Sequence, residues 1–402
     1  MTQPFFSVVI PTRNRADLLL SAVTSVLNQT FSDYELIVSD NSDDTAANQN
    51  LLQSLNNWEA NLRCSYIRPE NYMLMPDHWE FCTNYASGVY VVILTDRFVM
   101  RPSALEVLAE RIKSAPNKEP DIILWNVQSE FSDQSGIQHT QRFAGKSESI
   151  DSKLILDQFA SFSSWKDGST YFNKLPRGMN SVYRRSLASE IKMKHGRMFP
   201  PLSPDYSSAF LFLAYAKDVL YIDLPFYMSH GNLSTGSNSM IFGIHMLDAE
   251  VDPLEGCPLK IDTVFNSVVR DLLAVKALVA PRMQEIKIDV VGYYLSNYRE
   301  LIHKELIGSP MNLKPMYELW FRGLESLPKA EQEGITTGKI FLDEMRINSI
   351  TLLRFKLTRS LGLFPLRNYV LALLAKRKHI RMGGATYSDA LDAAQATDHH
   401  LK

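Results

Sequence analysis

The chain is poor in cysteine, and the few it has do not group. Cys64, Cys82 and Cys257 are the only three among 402 residues. They stand far apart, without metal-ligand spacing or an even pairing pattern, and read as small buried hydrophobes of a reducing compartment. No apolar run reaches the ~20 residues needed to cross a bilayer. The start, Met1-Thr-Gln-Pro-Phe-Phe-Ser-Val-Val-Ile10, has no basic stretch ahead of its apolar residues, so no secretory signal is expected and a cytoplasmic location is. Excess positive charge is missing too. A formal net charge of −2 gives no overall field to hold nucleic acid, which is not expected as a partner. What remains, 45% apolar and 21% charged residues, is the composition of a globular protein. The length exceeds one ordinary core, so two domains or a domain with a large appendage are expected.

The first hundred or so residues alternate strand and helix patterns. Strands are expected at Phe6 to Ile10, Tyr34 to Ser39, Cys64 to Ile67 and Tyr90 to Leu94. Leu19, Ala22, Val23, Val26 and Leu27 fall on one helical face; further helices are expected around Trp79 to Ala86 and from a Ser103 cap to about Ser114. Such alternation makes βαβ units and a parallel sheet. From Asp121 to about His230 it loosens. A strand at Ile122 to Trp125 precedes a serine-rich stretch through about Ser164, expected as loops across one sheet face. Beyond about Glu250 helical patterns take over. The expected division is a domain at 1–245 (halves at 1–120 and 121–245), a helical region at 246–385 and a disordered tail at 386–402.

Two local absences carry most of the chemistry. In Val91-Val-Ile-Leu-Thr-Asp-Arg-Phe98 an apolar strand ends in Asp96, and no second acid follows it; the next residue is Arg97. In Pro11-Thr-Arg-Asn-Arg15, after the first strand, there is no glycine. Together with Asp40-Asn-Ser42 after the second strand, these loops sit at the C-terminal ends of parallel strands, where open α/β sheets bind ligands. Taken singly, Asp40 and Asn41 suit a turn and Thr12 a helix cap; three at one edge point to a pocket.

Val8-Val-Ile-Pro-Thr-Arg-Asn-Arg15, Ser25-Val-Leu-Asn-Gln-Thr-Phe31, Tyr34-Glu-Leu-Ile-Val-Ser-Asp-Asn-Ser42 and Gly88-Val-Tyr-Val-Val-Ile-Leu-Thr-Asp96 resemble the opening motifs of family 2 glycosyltransferases. The resemblance runs over roughly residues 5 to 240. It implies the GT-A fold, a mostly parallel sheet flanked by helices, and a nucleotide-sugar donor, with UDP favoured. It implies that Asp40 and Asn41 meet the base, that Pro11, Thr12 and Arg13 border it, and that Asp96 lies near the ribose and diphosphate. In that family a second motif aspartate ligates Mn²⁺ or Mg²⁺. Here Arg97 stands in its place, and a guanidinium grips phosphate oxygens rather than a cation. The expectation is transfer without a required cofactor, with Asp96 the ligand if Mn²⁺ or Mg²⁺ is used. The competing expectation is an Asp96–Arg97 ion pair in a site that has lost catalysis and only binds nucleotide-sugar or glycan. A sugar nucleotidyltransferase, which needs a glycine-rich phosphate loop, is the weakest reading.

Ser203-Pro-Asp-Tyr206 has a cap residue, a first-turn proline and an acid, a helix start in which Asp205 suits the dipole. The segment also resembles the family's Glu-Asp motif, with Pro204 where the glutamate stands, which implies Asp205 as the base that deprotonates the acceptor in an inverting transfer. Tyr227-Met-Ser-His230 resembles a stretch that places His230 at the diphosphate. Trp165, Tyr171 and Arg177 are expected near the acceptor, a glycan or lipid-linked saccharide. Finally, no acid occurs between Glu344 and Asp389, while Arg346, Arg354, Lys356, Arg359, Arg367, Lys376, Arg377, Lys378 and Arg381 alternate with leucines and phenylalanines. Segment 346–382 thus has the pattern either of a membrane-surface element, at the inner face of the membrane, or of a helical core face with a solvated basic side.

Overall fold

The computed structural model describes residues 3–53, 63–116, 119–132, 135–163, 174–230, 252, 254–307, 309, 311–347, 376–381 and 384–401. The chain divides into two compact units, one of 1–155, 174–231 and 378–402, the other of 156–173 and 232–377. This differs from the expected 1–245 and 246–385 split: residues 156–173 group with the helical unit, and the chain returns to the first unit at its far end.

The first unit opens as the alternation predicts: β1 (Phe6–Thr12), α1 (Ala16–Leu27), β2 (Tyr34–Asp40), α2 (Ala46–Gln53), β3 (Cys64–Ile67), α3 (Met75–Thr83) and β4 (Tyr90–Ile93). β5 (Phe98–Met100), α4 (Ala104–Lys113), β6 (Ile122–Leu124), β7 (Ser129–Ser132), β8 (Ile137–Thr140) and β9 (Ser147–Ile150) follow, then α5 (Ser152–Ala160), whose residues from Leu156 on belong to the second unit. Then come β10 (Ser181–Arg184), α6 (Arg185–His195), α7 (Pro204–Tyr215), β11 (Val219–Ile222) and β12 (Tyr227–His230). The main sheet has the order β3-β2-β1-β4-β10-β6-β11-β9. Its first four strands are parallel; β10 and β9 run antiparallel to their neighbours. β1 is buried at all seven positions, as expected of a central strand covered on both faces, and its β-branched Val8, Val9 and Ile10 suit it. Gly88 permits the entry into β4: a Cβ there would lie 2.7 Å from the Ser7 nitrogen, and its N–H donates to Ser7 Oγ at 2.8 Å.

A second sheet, β5-β12-β7-β8, corrects the expected loops. β7 and β8 form an antiparallel hairpin and β9 is an edge strand on β11. Their short serine-rich sequences lack apolar alternation because most of their residues stay partly exposed, so the usual strand signal is absent.

The second unit contains α8 (Val264–Leu278), α9 (Ala280–Met283), α10 (Val290–Ile307), α11 (Lys314–Glu325) and α12 (Lys329–Ile347). Its described regular elements are helical. Trp320 is fully buried and donates from Nε1 to the Tyr294 carbonyl at 2.9 Å. No described helix is long and apolar enough to cross a membrane. Segment 348–375, most of the basic stretch, lies outside the described residues.

The tail expected to be disordered is instead α13 (Ala390–Ala396) followed by a 3₁₀ turn at Asp398–Leu401. Ala390, Ala393, Ala394 and Leu401 are buried in the first unit. A run of small and polar residues looks unstructured, but small side chains let a short helix lie close against a sheet.

Candidate active site

β1 ends in Thr12, and the chain turns into α1 through Asn14 at φ 54°, a left-handed conformation asparagine tolerates. The turn is fastened to the loop after β2: Asn14 N–H donates to Ser42 Oγ at 2.8 Å and Asn41 N–H to the Thr12 carbonyl at 3.0 Å. It sends Arg13 and Arg15 to different partners. The Arg13 guanidinium stacks 4.3 Å over the exposed Tyr72 ring. Arg15 reaches Asp96.

Asp96 is buried. Its carboxylate accepts from Thr12 Oγ1 at 2.9 Å and from Arg15 Nη1 at 3.1 Å. Burial pushes its acid upward, opposed first by the Arg15 charge. The expected Asp96–Arg97 ion pair does not form. Arg97 lies with its guanidinium 4.8 Å from the Phe98 ring centroid, and its buried Nε has no hydrogen-bond partner among the described residues. Its main chain is held by β12, with His230 N–H donating to the Arg97 carbonyl at 3.0 Å, so Arg97 and the buried His230 are neighbours at two strand ends.

Asp40, fully buried at the end of β2, accepts from Tyr66 OH at 2.5 Å and from Ser42 N–H at 2.9 Å. Asn41 is clamped to the Met73 backbone through both amide atoms, at 2.7 and 3.1 Å. A small cleft opens beside them, lined by Asn41, Ser42, Arg68, Asn71 and Tyr72 among others. Pro11 is buried within β1, paired with Ser39.

Asp205 stands in the first turn of α7, behind Pro204. Ser203 takes the N-cap position without a side-chain cap bond; Ser103 does the same before α4, because its hydroxyl is bonded to Asp398 at 2.8 Å. Burial raises the acid of Asp205 from its ordinary value, and the charges of Arg177 and then Arg97 oppose the shift. Arg177 lies 5.9 Å from the Tyr206 ring centroid, and its Nε is again buried without a partner. Gly178 allows this: a Cβ there would sit 2.6 Å from the Trp79 ring, so only glycine lets the turn carrying Arg177 close onto α3.

Residues 7–191 match the family model described as glycosyl transferase family 2. They form a family 2 glycosyltransferase domain. Its architecture is of the GT-A type, a mixed α/β sheet with flanking helices, followed by a helical region. A curated relative from Campylobacter jejuni, GalNAc(5)-diNAcBac-PP-undecaprenol beta-1,3-glucosyltransferase, is 36% identical over 111 residues, which is 27% of this chain and 34% of the relative. The match thus spans about a third of that relative's length. Among solved structures, S. aureus TarS 1–349 in complex with UDP-GlcNAc aligns over 89% of this chain and 92% of its own, at 15% identity and a TM-score of 0.48. A longer S. aureus TarS structure aligns over 88% of this chain and 55% of its own, at 14% identity and a TM-score of 0.46.

In the family 2 domain, then, the three expected loops do meet, and Thr12, Asp96, Asp40 and Asn41 lie where they converge. Arg177, expected at the acceptor, lies beside Asp205 and Arg97. Arg13 is turned outward onto Tyr72. Trp165 and Tyr171 lie outside the described residues. Sequence reasoning missed Arg15, Tyr66 and Arg68; Tyr66 is the penultimate residue of β3 and Arg68 follows its end, and that position was their signal. A divalent cation fits this donor set poorly. Both Asp96 oxygens are already engaged, a guanidinium follows, and no cluster of three or more His, Cys, Asp or Glu side chains occurs among the described residues.

Proposed function

We propose that this protein is an inverting glycosyltransferase that moves a sugar from a UDP-sugar to a hydroxyl of a glycan or lipid-linked saccharide, with Arg97 supplying the charge a metal would otherwise bring. The observation that carries the reading is the pair of buried, unpartnered Nε atoms of Arg97 and Arg177 beside a carboxylate. Buried guanidinium donors without partners are costly, and an entering diphosphate would satisfy both.

In this reading Asp40 and Asn41 hold the base, while Pro11 and Thr12 form the floor below it. Arg97, Arg177 and His230 face the diphosphate. Asp205 accepts the proton of the acceptor hydroxyl as that oxygen bonds to the anomeric carbon. The bond to the nucleoside diphosphate breaks on the opposite face, and the arginines neutralise the charge left on it. Burial raises the acid of Asp205, which makes its carboxylate a stronger base. Its position at a helix start beside two cations opposes that shift.

The acceptor class draws support from the name of the Campylobacter relative, whose acceptor is an undecaprenol-linked saccharide. A cytoplasmic location, with basic segment 346–382 resting on the membrane surface, follows from the same acceptor class.

The test is donor hydrolysis over a panel of nucleotide sugars in excess chelator and again with Mn²⁺. Release of UDP in chelator supports the proposal. Release only with Mn²⁺ overturns the role given to Arg97, and tight binding of every donor without turnover, acceptor saccharides included, overturns the enzyme reading.

A further inference from the structure

Arg101 is fully buried, rare for an arginine, and every donor group of its guanidinium is used. Nε donates to the Pro225 carbonyl at 2.7 Å and Nη2 to Ser129 Oγ at 3.0 Å. Nη1 donates to the Thr397 carbonyl at 2.7 Å and also to Thr397 Oγ1. One side chain thus joins the end of β5, the start of β12, the first residue of β7 and the C-terminal end of α13.

The rest of the C-terminal segment is fastened along the same sheet. Tyr387 N–H donates to the Gly136 carbonyl at 2.9 Å in the β7–β8 turn. Asp389 caps α13 by accepting from Asp392 N–H at 2.8 Å. Ala390, Ala393 and Ala394 pack with Val99, Phe131 and Met228 in one apolar cluster. Asp398 accepts from Ser103 N–H and Oγ at 2.9 and 2.8 Å, and Leu401 enters the main core.

β5 has three residues and β12 four, too few to hold their pairing unaided. Yet Phe98 follows Arg97 directly, and His230 closes β12 against it. We infer that Arg101 and residues 387–401 form a strap that positions Arg97 and His230 by holding β5 and β12 in register. Arg101 is a positioning residue, acting through the backbone of β5. The inference rests on the reading that Arg97 meets the diphosphate. It makes nucleotide affinity depend on a segment nearly three hundred positions away in the chain, and it gives the enzyme a place where loosening the segment would weaken donor binding without touching the pocket.

The test is removal of residues 386–402, with UDP affinity measured by calorimetry before and after adding back a peptide of those residues. The strap predicts at least a tenfold loss, restored by the peptide; unchanged affinity overturns it. If the shortened chain does not fold, the double variant Thr397→Val/Asp398→Ala takes its place, read by hydrogen exchange. Faster exchange in 390–396 should then be accompanied by faster exchange at 98–100 and 227–230. Loosening of 390–396 alone overturns the strap. Arg97→Met serves as the separate check on the site: if it leaves UDP affinity unchanged, the diphosphate reading falls, while the exchange data still decide the strap.

Discussion

Asp96 bonds to Arg15, 81 positions earlier in the chain, and not to Arg97 beside it. The consequence is a division of labour between two arginines. Arg15, with Thr12, neutralises the buried carboxylate and knits the loop after β1 to the end of β4. Arg97 keeps its charge uncommitted.

Arg97→Met should therefore weaken UDP binding and lower turnover by roughly 10- to 100-fold, the loss expected for charge-assisted hydrogen bonds of about 1.5–3 kcal/mol. The fold should be kept, because no described ion pair is broken. Calorimetry and donor hydrolysis in chelator measure both effects; an unchanged affinity would remove Arg97 from the site.

Asp205→Asn should cut transfer by at least about 100-fold, the contribution of a general base, while UDP still binds. It should also raise the melting temperature at neutral pH. The folded-state acid of Asp205 is raised by burial, so the folded protein binds the proton more tightly than the unfolded chain does. Stability from this group is present at low pH and lost as pH rises through its raised folded-state value; asparagine removes the charge. A variant that retains turnover would rule out Asp205 as the base.

Arg177→Gln should move the acidic limb of the kcat/KM profile to higher pH. Arg177 is the largest influence holding Asp205 down against burial, so without it the base protonates more readily. A limb that stays put would place Arg177 outside the site's electrostatics.

Gly178→Ala should act on the same residue through packing. The added methyl meets the Trp79 ring at 2.6 Å, and the turn must move, at about 1–3 kcal/mol of stability. Turnover should fall with it as Arg177 is displaced, and thermal unfolding with parallel kinetics would show both.

His78 packs beside the end of β2, its Nε2 2.8 Å from Ser39 Oγ. Burial draws its conjugate acid down to about 4. The unfolded chain thus takes up this proton at higher pH than the fold does, and stability is lost as pH falls from about 6.5 to about 4. The loss approaches roughly 3 kcal/mol at the acid end. Denaturant titrations across that window should steepen for the wild type and flatten for His78→Gln.

How far the sequence alone reaches is visible in particular elements. β1, β2 and β4 were legible because a strand buried on both faces must be continuously apolar, and the break in that run marks its end at Asp40 or Asp96. A carboxylate at such an edge announces a ligand site whatever surrounds it. The absence of a second acid after Asp96 was equally plain. Partners were not legible. Whether Asp96 would bond Arg97 or Arg15 depended on how the Asn14 turn aims two side chains, and no local pattern encodes that. Arg177 comes near enough to act on the charge of Asp205 because Gly178 lets its turn close onto Trp79 of α3. The short polar strands β7 to β9 were hidden because their residues are half exposed, which erases the alternation. The segment after Tyr387 looked like a tail for the same kind of reason: small residues carry no hydrophobic signal by themselves. Its order comes from Arg101, Ser103 and the apolar face of β5 and β12, contacts that exist only once the chain has folded back on its beginning.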